Sequence, residues 1–202
     1  MPINVTLLFS AEQYQSAADA YLRGIERRVA AGLTPVVASV ASVFVSRWDK
    51  AVVDRAPGHL QDRLGIAVAS GAYHAHRKLL ASPRWGRLAN EGARPPRLLW
   101  ASTSTKNPAA RDVLYISALA APFTINTMPE ATLLAFADHG PVEGLMLDSD
   151  RGARQTLASF AEVGIDRQVL AEQLQRGGAE SFVQSWVDLL ARIASKHERL
   201  TG

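Results

Sequence analysis

Four short runs of apolar and β-branched residues punctuate the chain: Ile3 to Phe9, Val36 to Phe44, Leu98 to Ser102 and Phe123 to Thr127. Runs this short, bounded by polar and turn residues, predict strands. A helical pattern follows each of them. After the first, Ser10 is a good N-cap, and Tyr14, Ala17, Ala18, Tyr21, Leu22, Ile25 and Val29 recur at helical spacing until Gly32, a stop at the C′ position. The second run leads through a polar stretch with Pro57-Gly58 into a long helical segment from about Leu60 to Ala81, closed by Ser82-Pro83 and a short Trp85 to Asn90 piece. Gly92 and Pro95-Pro96 break the chain before the third run. A modest helix around Val113 to Leu119 follows that run, and a helix ending at His139-Gly140 follows the fourth.

Strands alternating with helices predict βαβ units on a parallel sheet, because a parallel crossover needs a dozen or more residues. The fold class is α/β. From about Asp150 no strand signal returns. Three helical patterns follow, Arg151 to Val163, Asp166 to Leu174 and Ala179 to Leu200, separated by Gly164 and by Gly177-Gly178. This divides the chain into a strand-bearing part, residues 1–149, and a helical extension, residues 150–202, expected to pack on it. A closed barrel of eight βα units takes about 250 residues, so four strand candidates amount to half of one.

Composition narrows the function. The chain has 202 residues, 48% hydrophobic and 20% charged, with 22 Lys+Arg against 19 Asp+Glu. That slight excess, scattered among acids, argues against a nucleic-acid partner. There is no cysteine, hence no disulfide, thiolate metal site or cysteine nucleophile. No apolar run approaches the roughly 18 residues of a membrane span, and the first residues lack the marks of a secretory signal. A soluble cytoplasmic protein is expected.

Period 2 in the first run places Asn4, Thr6 and Leu8 on one face and Ile3, Val5, Leu7 and Phe9 on the other. The second set suits a helix layer. The first carries an amide and a hydroxyl, suited either to a buried hydrogen-bonded pair or to holding substrate hydroxyls and water. Ligands of α/β proteins bind at strand ends, which singles out Ser42 and Arg47 after the second run and Ser102, Thr103, Ser104, Thr105, Lys106 and Asn107 after the third. Hydroxyl donors with one guanidinium fork and one ammonium make a plausible phosphate site, although such residues also populate ordinary solvated loops. In Tyr73-His74-Ala75-His76 the two histidines point to different faces, without metal-ligand geometry, and are expected at an exposed helix surface. His139 suits a helix C-terminus, and Asp148-Ser149-Asp150 an N-cap in preference to a calcium loop. No Gly-rich nucleotide loop and no Gly-x-Ser-x-Gly elbow is present.

Four blocks carry a resemblance: Ile3-Asn4-Val5-Thr6-Leu7-Leu8-Phe9-Ser10; Ser39-Val40-Ala41-Ser42-Val43-Phe44-Val45-Ser46-Arg47; Trp100-Ala101-Ser102-Thr103-Ser104-Thr105-Lys106-Asn107-Pro108; and Asn126-Thr127-Met128-Pro129-Glu130-Ala131-Thr132-Leu133. In this order they resemble successive strands and loops of transaldolase, in the bacterial and plant-type branch. The resemblance implies a (β/α)8 barrel that moves a dihydroxyacetone unit between sugar phosphates of the pentose phosphate pathway through a lysine Schiff base, without metal or nucleotide cofactor. By position, Asn4 and Thr6 resemble the ligands of substrate hydroxyl and catalytic water on the fifth strand. Ser42 with Arg47, and Ser104 with Lys106, resemble the phosphate-binding groups after the sixth and seventh. Lys106 stands where other members place an arginine. The family's Schiff-base lysine and catalytic acids lie on earlier strands, so the resemblance implies no catalytic residue in this chain and covers the C-terminal half alone. Three readings stay open: a half-enzyme completed by an N-terminal half, a portion of a longer enzyme, or a non-enzymatic sugar-phosphate-binding or scaffold module that closes its sheet with a second copy. Any isolated half leaves sheet edges open and inward residues such as Leu8 meeting water, so the chain by itself is not expected to be a stable monomer.

Overall fold

Four strands, β1 (Ile3–Leu8), β2 (Ser39–Phe44), β3 (Arg97–Ala101) and β4 (Thr124–Asn126), pair in parallel and in chain order in a computed structural model describing residues 2–141, 144–146 and 151–201. The connections between them hold α1 (Ala11–Ala30), then α2 (Ser46–Val52), α3 (Leu64–Leu80) and α4 (Pro83–Asn90), then α5 (Leu114–Ala118). α6 (Glu130–His139), α7 (Arg151–Glu162) and α8 (Arg167–Thr201) follow β4. The α/β class and its four parallel strands are as the sequence predicts. Asp148-Ser149-Asp150 lies outside the described residues.

Local chemistry explains most boundaries. Ser10 caps α1, its hydroxyl accepting from Gln13 N at 3.1 Å while Gln13 Oε1 accepts from Phe9 N at 2.7 Å. Gly32 adopts φ +65° just beyond that helix, the left-handed turn that glycine reaches without a Cβ clash. Ser82 caps α4 in the same way, with Pro83 at its first position.

Three elements depart from the sequence expectation. The polar stretch after β2 folds as α2, because Trp48 and Val52 fall one helical turn apart and are buried together. The long helix begins only at Leu64, after a 3-10 turn at Gly58–Leu60. The two helices expected on either side of Gly177-Gly178 are one, α8. A mid-helix glycine costs only about 1 kcal/mol against alanine, and here tertiary contact outweighs it. A Cβ on Gly178 would lie 2.9 Å from Leu7 Cδ2 and 3.1 Å from a guanidinium nitrogen of Arg47, whereas one on Gly177 would meet nothing.

The sheet has a sealed side and an open side. Ala41, Val43, Val45, Leu98 and Trp100 pack with Tyr14 and Ala18 of α1, Ala69, Ala72, Tyr73 and Ala75 of α3, and Tyr115 of α5. A second cluster caps the C-terminal end of β1 and β2, joining Leu7, Phe9, Trp48, Val52, Leu64 and Val68 to Phe160, Ile165, Leu170 and Ala171 of the α7–α8 region. Past that contact the apolar residues Phe182, Val183, Trp186, Val187, Leu190 and Ile193 of α8 are exposed.

A bulge in β1 changes which residues point where. Val5 pairs with Ala41 and Leu8 with Val43, so three residues of β1 span two of β2. Leu7, at the extra position, has φ +58°. A one-residue slip exchanges the two faces. Leu8 therefore does not stand with Asn4 and Thr6 in water, as strict alternation predicts, but is buried on the helix side. Leu7 and Phe9 leave that side for the second cluster.

Candidate functional site

The open side of the sheet carries the polar residues that strand periodicity singled out. Asn4 and Thr6 are both exposed, and the Ser42 hydroxyl donates to Asn4 Oδ1 at 2.8 Å, joining β1 to β2. Ser42 itself is buried. The amide nitrogen of Asn4 stays on the open face as a donor.

Arg47, on the first turn of α2, sits at the C-terminal edge of the sheet. Its guanidinium carbon lies 5.1 Å from the centre of the Phe44 ring, a cation–π contact, and α8 passes over it at Gly178. Among the described residues no carboxylate or carbonyl accepts from this guanidinium. α8 is held there by Gln175, which donates from Nε2 to the Leu7 carbonyl at 2.9 Å, a group that the bulge takes out of regular pairing.

The third strand brings the second set of hydroxyls to the same edge. Val45 N donates to Ala101 O at 3.0 Å, Ser46 N to Ser102 O at 2.9 Å, and the Ser46 and Ser102 hydroxyls lie 3.0 Å apart. Ser102 takes φ +56°, a strained conformation for serine that turns the chain sharply off the strand. Two residues on, Ser104 accepts from Lys106 Nζ at 2.7 Å, and both are accessible. The other residues of this loop serve structure. The buried Thr103 hydroxyl lies 2.8 Å from both Asn126 Oδ1 and the Thr127 carbonyl, tying β3 to β4. Thr105 donates to the Arg111 carbonyl at 2.8 Å, and Asn107 Nδ2 to Asp62 Oδ2 at 2.7 Å.

Sequence reasoning missed Asp49, two residues after Arg47. Its buried carboxylate accepts from Leu64 N at 2.8 Å, Gly65 N at 3.1 Å and Tyr115 OH at 2.8 Å. Burial pushes this carboxyl up to about 6, against the pull of those donors. The signal was present: an acid beside Trp48 and Val52 on the apolar face of a short helix, ahead of an α3 whose cap position is Arg63, with no capping side chain of its own.

The histidine pair requires correction. His74 is exposed as expected, but His76 is buried and its Nδ1 lies 2.7 Å from Tyr14 OH, which anchors α3 to α1. Apolar packing against Tyr14 outweighs the polarity of the ring, and burial lowers its pKa to about 4, leaving it neutral. His139 ends α6 as predicted and lies 3.0 Å from Asp112 and 3.2 Å from Asp138, whose carboxylates raise its pKa. The four lysines, Lys50, Lys78, Lys106 and Lys196, are all exposed. No group of three or more His, Asp or Glu among the described residues is arranged to hold a metal ion, and none of the described helices is long and apolar enough to cross a membrane.

The family model described as Transaldolase/Fructose-6-phosphate aldolase matches residues 1–193. The chain belongs to the transaldolase family. It is 45% identical to the transaldolase of Frankia alni over 203 residues, covering 96% of this chain and 55% of that protein. The transaldolase of Acidothermus cellulolyticus is 45% identical over 208 residues, covering 98% and 55%, and that of a Neisseria meningitidis serogroup C strain 42% over 192 residues, covering 95% and 55%. This transaldolase-family chain thus spans about half the length of the curated relatives it matches.

Proposed function

We propose that the open face and C-terminal edge of the sheet form the sugar-phosphate-binding wall of a transaldolase site, the transferred unit being dihydroxyacetone. Arg47 carries the reading: an arginine fixed by Phe44 and Gly178 yet without an anionic partner among the described residues is a guanidinium left for an anion from outside. Ser104 and Lys106 supply a hydroxyl donor and a second cation at the same edge. Asn4, with its Oδ1 taken by Ser42, presents its NH₂ to a sugar hydroxyl, and Thr6 presents a hydroxyl beside it.

Schiff-base formation needs a neutral amine, which requires burial or a neighbouring cation to depress the lysine pKa. All four lysines here are exposed, so the nucleophilic lysine belongs to the part of a transaldolase that these residues do not include, and the site becomes complete in a full (β/α)8 barrel. The completing part in this proposal is an N-terminal half, on the same polypeptide or on another.

Titration with fructose 6-phosphate tests the assignment. In the assembled state the site binds, and Arg47→Ala weakens binding by about 1.5–3 kcal/mol, roughly 10- to 150-fold, as charge-assisted contacts to phosphate do. Borohydride reduction with fructose 6-phosphate traps no adduct. Unchanged affinity in Arg47→Ala overturns the phosphate role, and a stable adduct at Lys106 overturns the placement of the nucleophile.

A further inference from the structure

The two halves of the proposed phosphate site, Arg47 on α2 and the Ser104–Lys106 loop after β3, come from different βα units, so something must fix their separation. Four contacts converge on that task. From α2, the Asp49 carboxylate receives Leu64 N and Gly65 N, the first turn of α3. Gly65 permits the approach, since a Cβ there would meet Asp49 Oδ2 at 2.7 Å and the Val45 carbonyl at 2.6 Å. The same carboxylate receives Tyr115 OH from α5, the helix into which the Lys106 loop runs. The segment entering α3 holds that loop a second time, through Asp62 and Asn107 Nδ2.

We propose that Asp49 is the positioning residue of the phosphate site, holding the Arg47 helix, the first turn of α3 and, through Tyr115, the Lys106-bearing segment in one arrangement. The proposal rests on the reading of Arg47 and Lys106 as phosphate ligands. Asp49 touches no substrate in it. The groups facing its carboxylate are Tyr115 from α5 and Asp62 from the α2–α3 connection, and among the described residues no lysine or arginine pairs with it. Three donors aimed at one carboxylate need its ionised form, because a protonated carboxyl spends one oxygen as a donor. Below about pH 6 the carboxyl takes up a proton, which relieves its buried charge and so favours the folded state, while the three hydrogen bonds of the clamp weaken. Anion affinity then falls with acidification, opposite to the trend that protonating surface histidines produces.

Sulfate, a dianion throughout this range, is the probe, titrated into the full chain at pH 5 to 7.5 and followed by amide NMR shifts of residues 102–107. The unmodified chain should bind more tightly at pH 7.5, with a midpoint near 6. Asp49→Asn should lose at least about tenfold in affinity at pH 7.5 and flatten that pH profile. Tyr115→Phe should move the midpoint to higher pH, because the lost hydrogen bond is one that favours the carboxylate. Arg47→Ala separates the two ideas. If it leaves sulfate affinity unchanged, or the unmodified chain does not bind sulfate, the phosphate reading fails. If it abolishes binding while Asp49→Asn keeps both affinity and pH profile, the positioning role alone fails. Should Asp49→Asn lack a cooperative melting transition, Tyr115→Phe decides, and an unmoved midpoint overturns the proposal.

Discussion

On the side covered by α1, α3 and α5, alternate residues of β2 and β3 are sealed: Ala41, Val43, Leu98 and Trp100 expose between 0% and 4% of their surface. The residues between them, Val40, Ser42, Phe44 and Leu99, together with Asn4 and Thr6 of β1, face the other way, and most are open to some degree. On the first side the buried Trp100 Nε1 donates to the Leu119 carbonyl at 3.0 Å. The second holds donors left available. One face of a sheet can thus hold the structure together while the other remains free for chemistry. Mutations on the two sides should separate accordingly.

The largest effect is expected at Trp100, fully buried between β3 and α5. Trp100→Ala removes its packing, leaves a cavity and unpairs the Leu119 carbonyl, at a cost of about 3–5 kcal/mol in urea unfolding. A loss below about 1 kcal/mol would mean that the helix side is not the core.

His76 provides a smaller, pH-dependent test of the same side. Its folded pKa of about 4 lies below the ordinary 6.5, so the folded state binds fewer protons than the unfolded chain between these values. Its contribution is complete above pH 6.5 and is lost as pH falls through about 4. Unfolding free energies at pH 7 and pH 4.5 should show the unmodified protein losing roughly 1–3 kcal/mol more than His76→Gln on acidification. Asp49 acts with the opposite sign. Its raised folded pKa makes its contribution greatest below the ordinary 3.8 and lost as pH rises through about 6, so the His76 signal is read from the difference between variants.

The smallest change belongs to the open face. Asn4→Ala breaks the bond from Ser42, but water can reach the exposed site, and the stability cost should stay near 0.5 kcal/mol in the same denaturation assay. A loss of about 2 kcal/mol or more would show that the open face is part of the packed core.

Much of this contrast was legible in the sequence. Strands and helices alternate with clear punctuation, and the hydroxyls after β2 and β3 could be placed at one sheet edge from order alone. What escaped depends on contacts between distant residues. The face of Leu8 is decided by a bulge that Leu7 adopts against its own steric preference, which periodicity cannot reveal. The burial of His76 depends on Tyr14 in another helix. The continuity of α8 depends on how closely it crosses Leu7 and Arg47, where Gly178 acts as a spacer and not a stop. Asp49 shows the same limit, since its three donors arrive from α3 and α5.

The chain-order sheet bears on how the molecule is made. Each strand pairs only with the strands immediately before and after it in sequence, so no pairing has to wait for a segment from a remote part of these residues. Contact order stays lower than in a sheet with strands inserted between earlier ones, and the loop-closure cost is met one βα unit at a time. During synthesis, at roughly 5–20 residues per second, β1 and β2 can pair as soon as β2 has emerged behind α1, and each later strand adds to an edge already formed. Until it does, that edge is exposed, and the three-residue β4 leaves only a short one at its own side of the sheet.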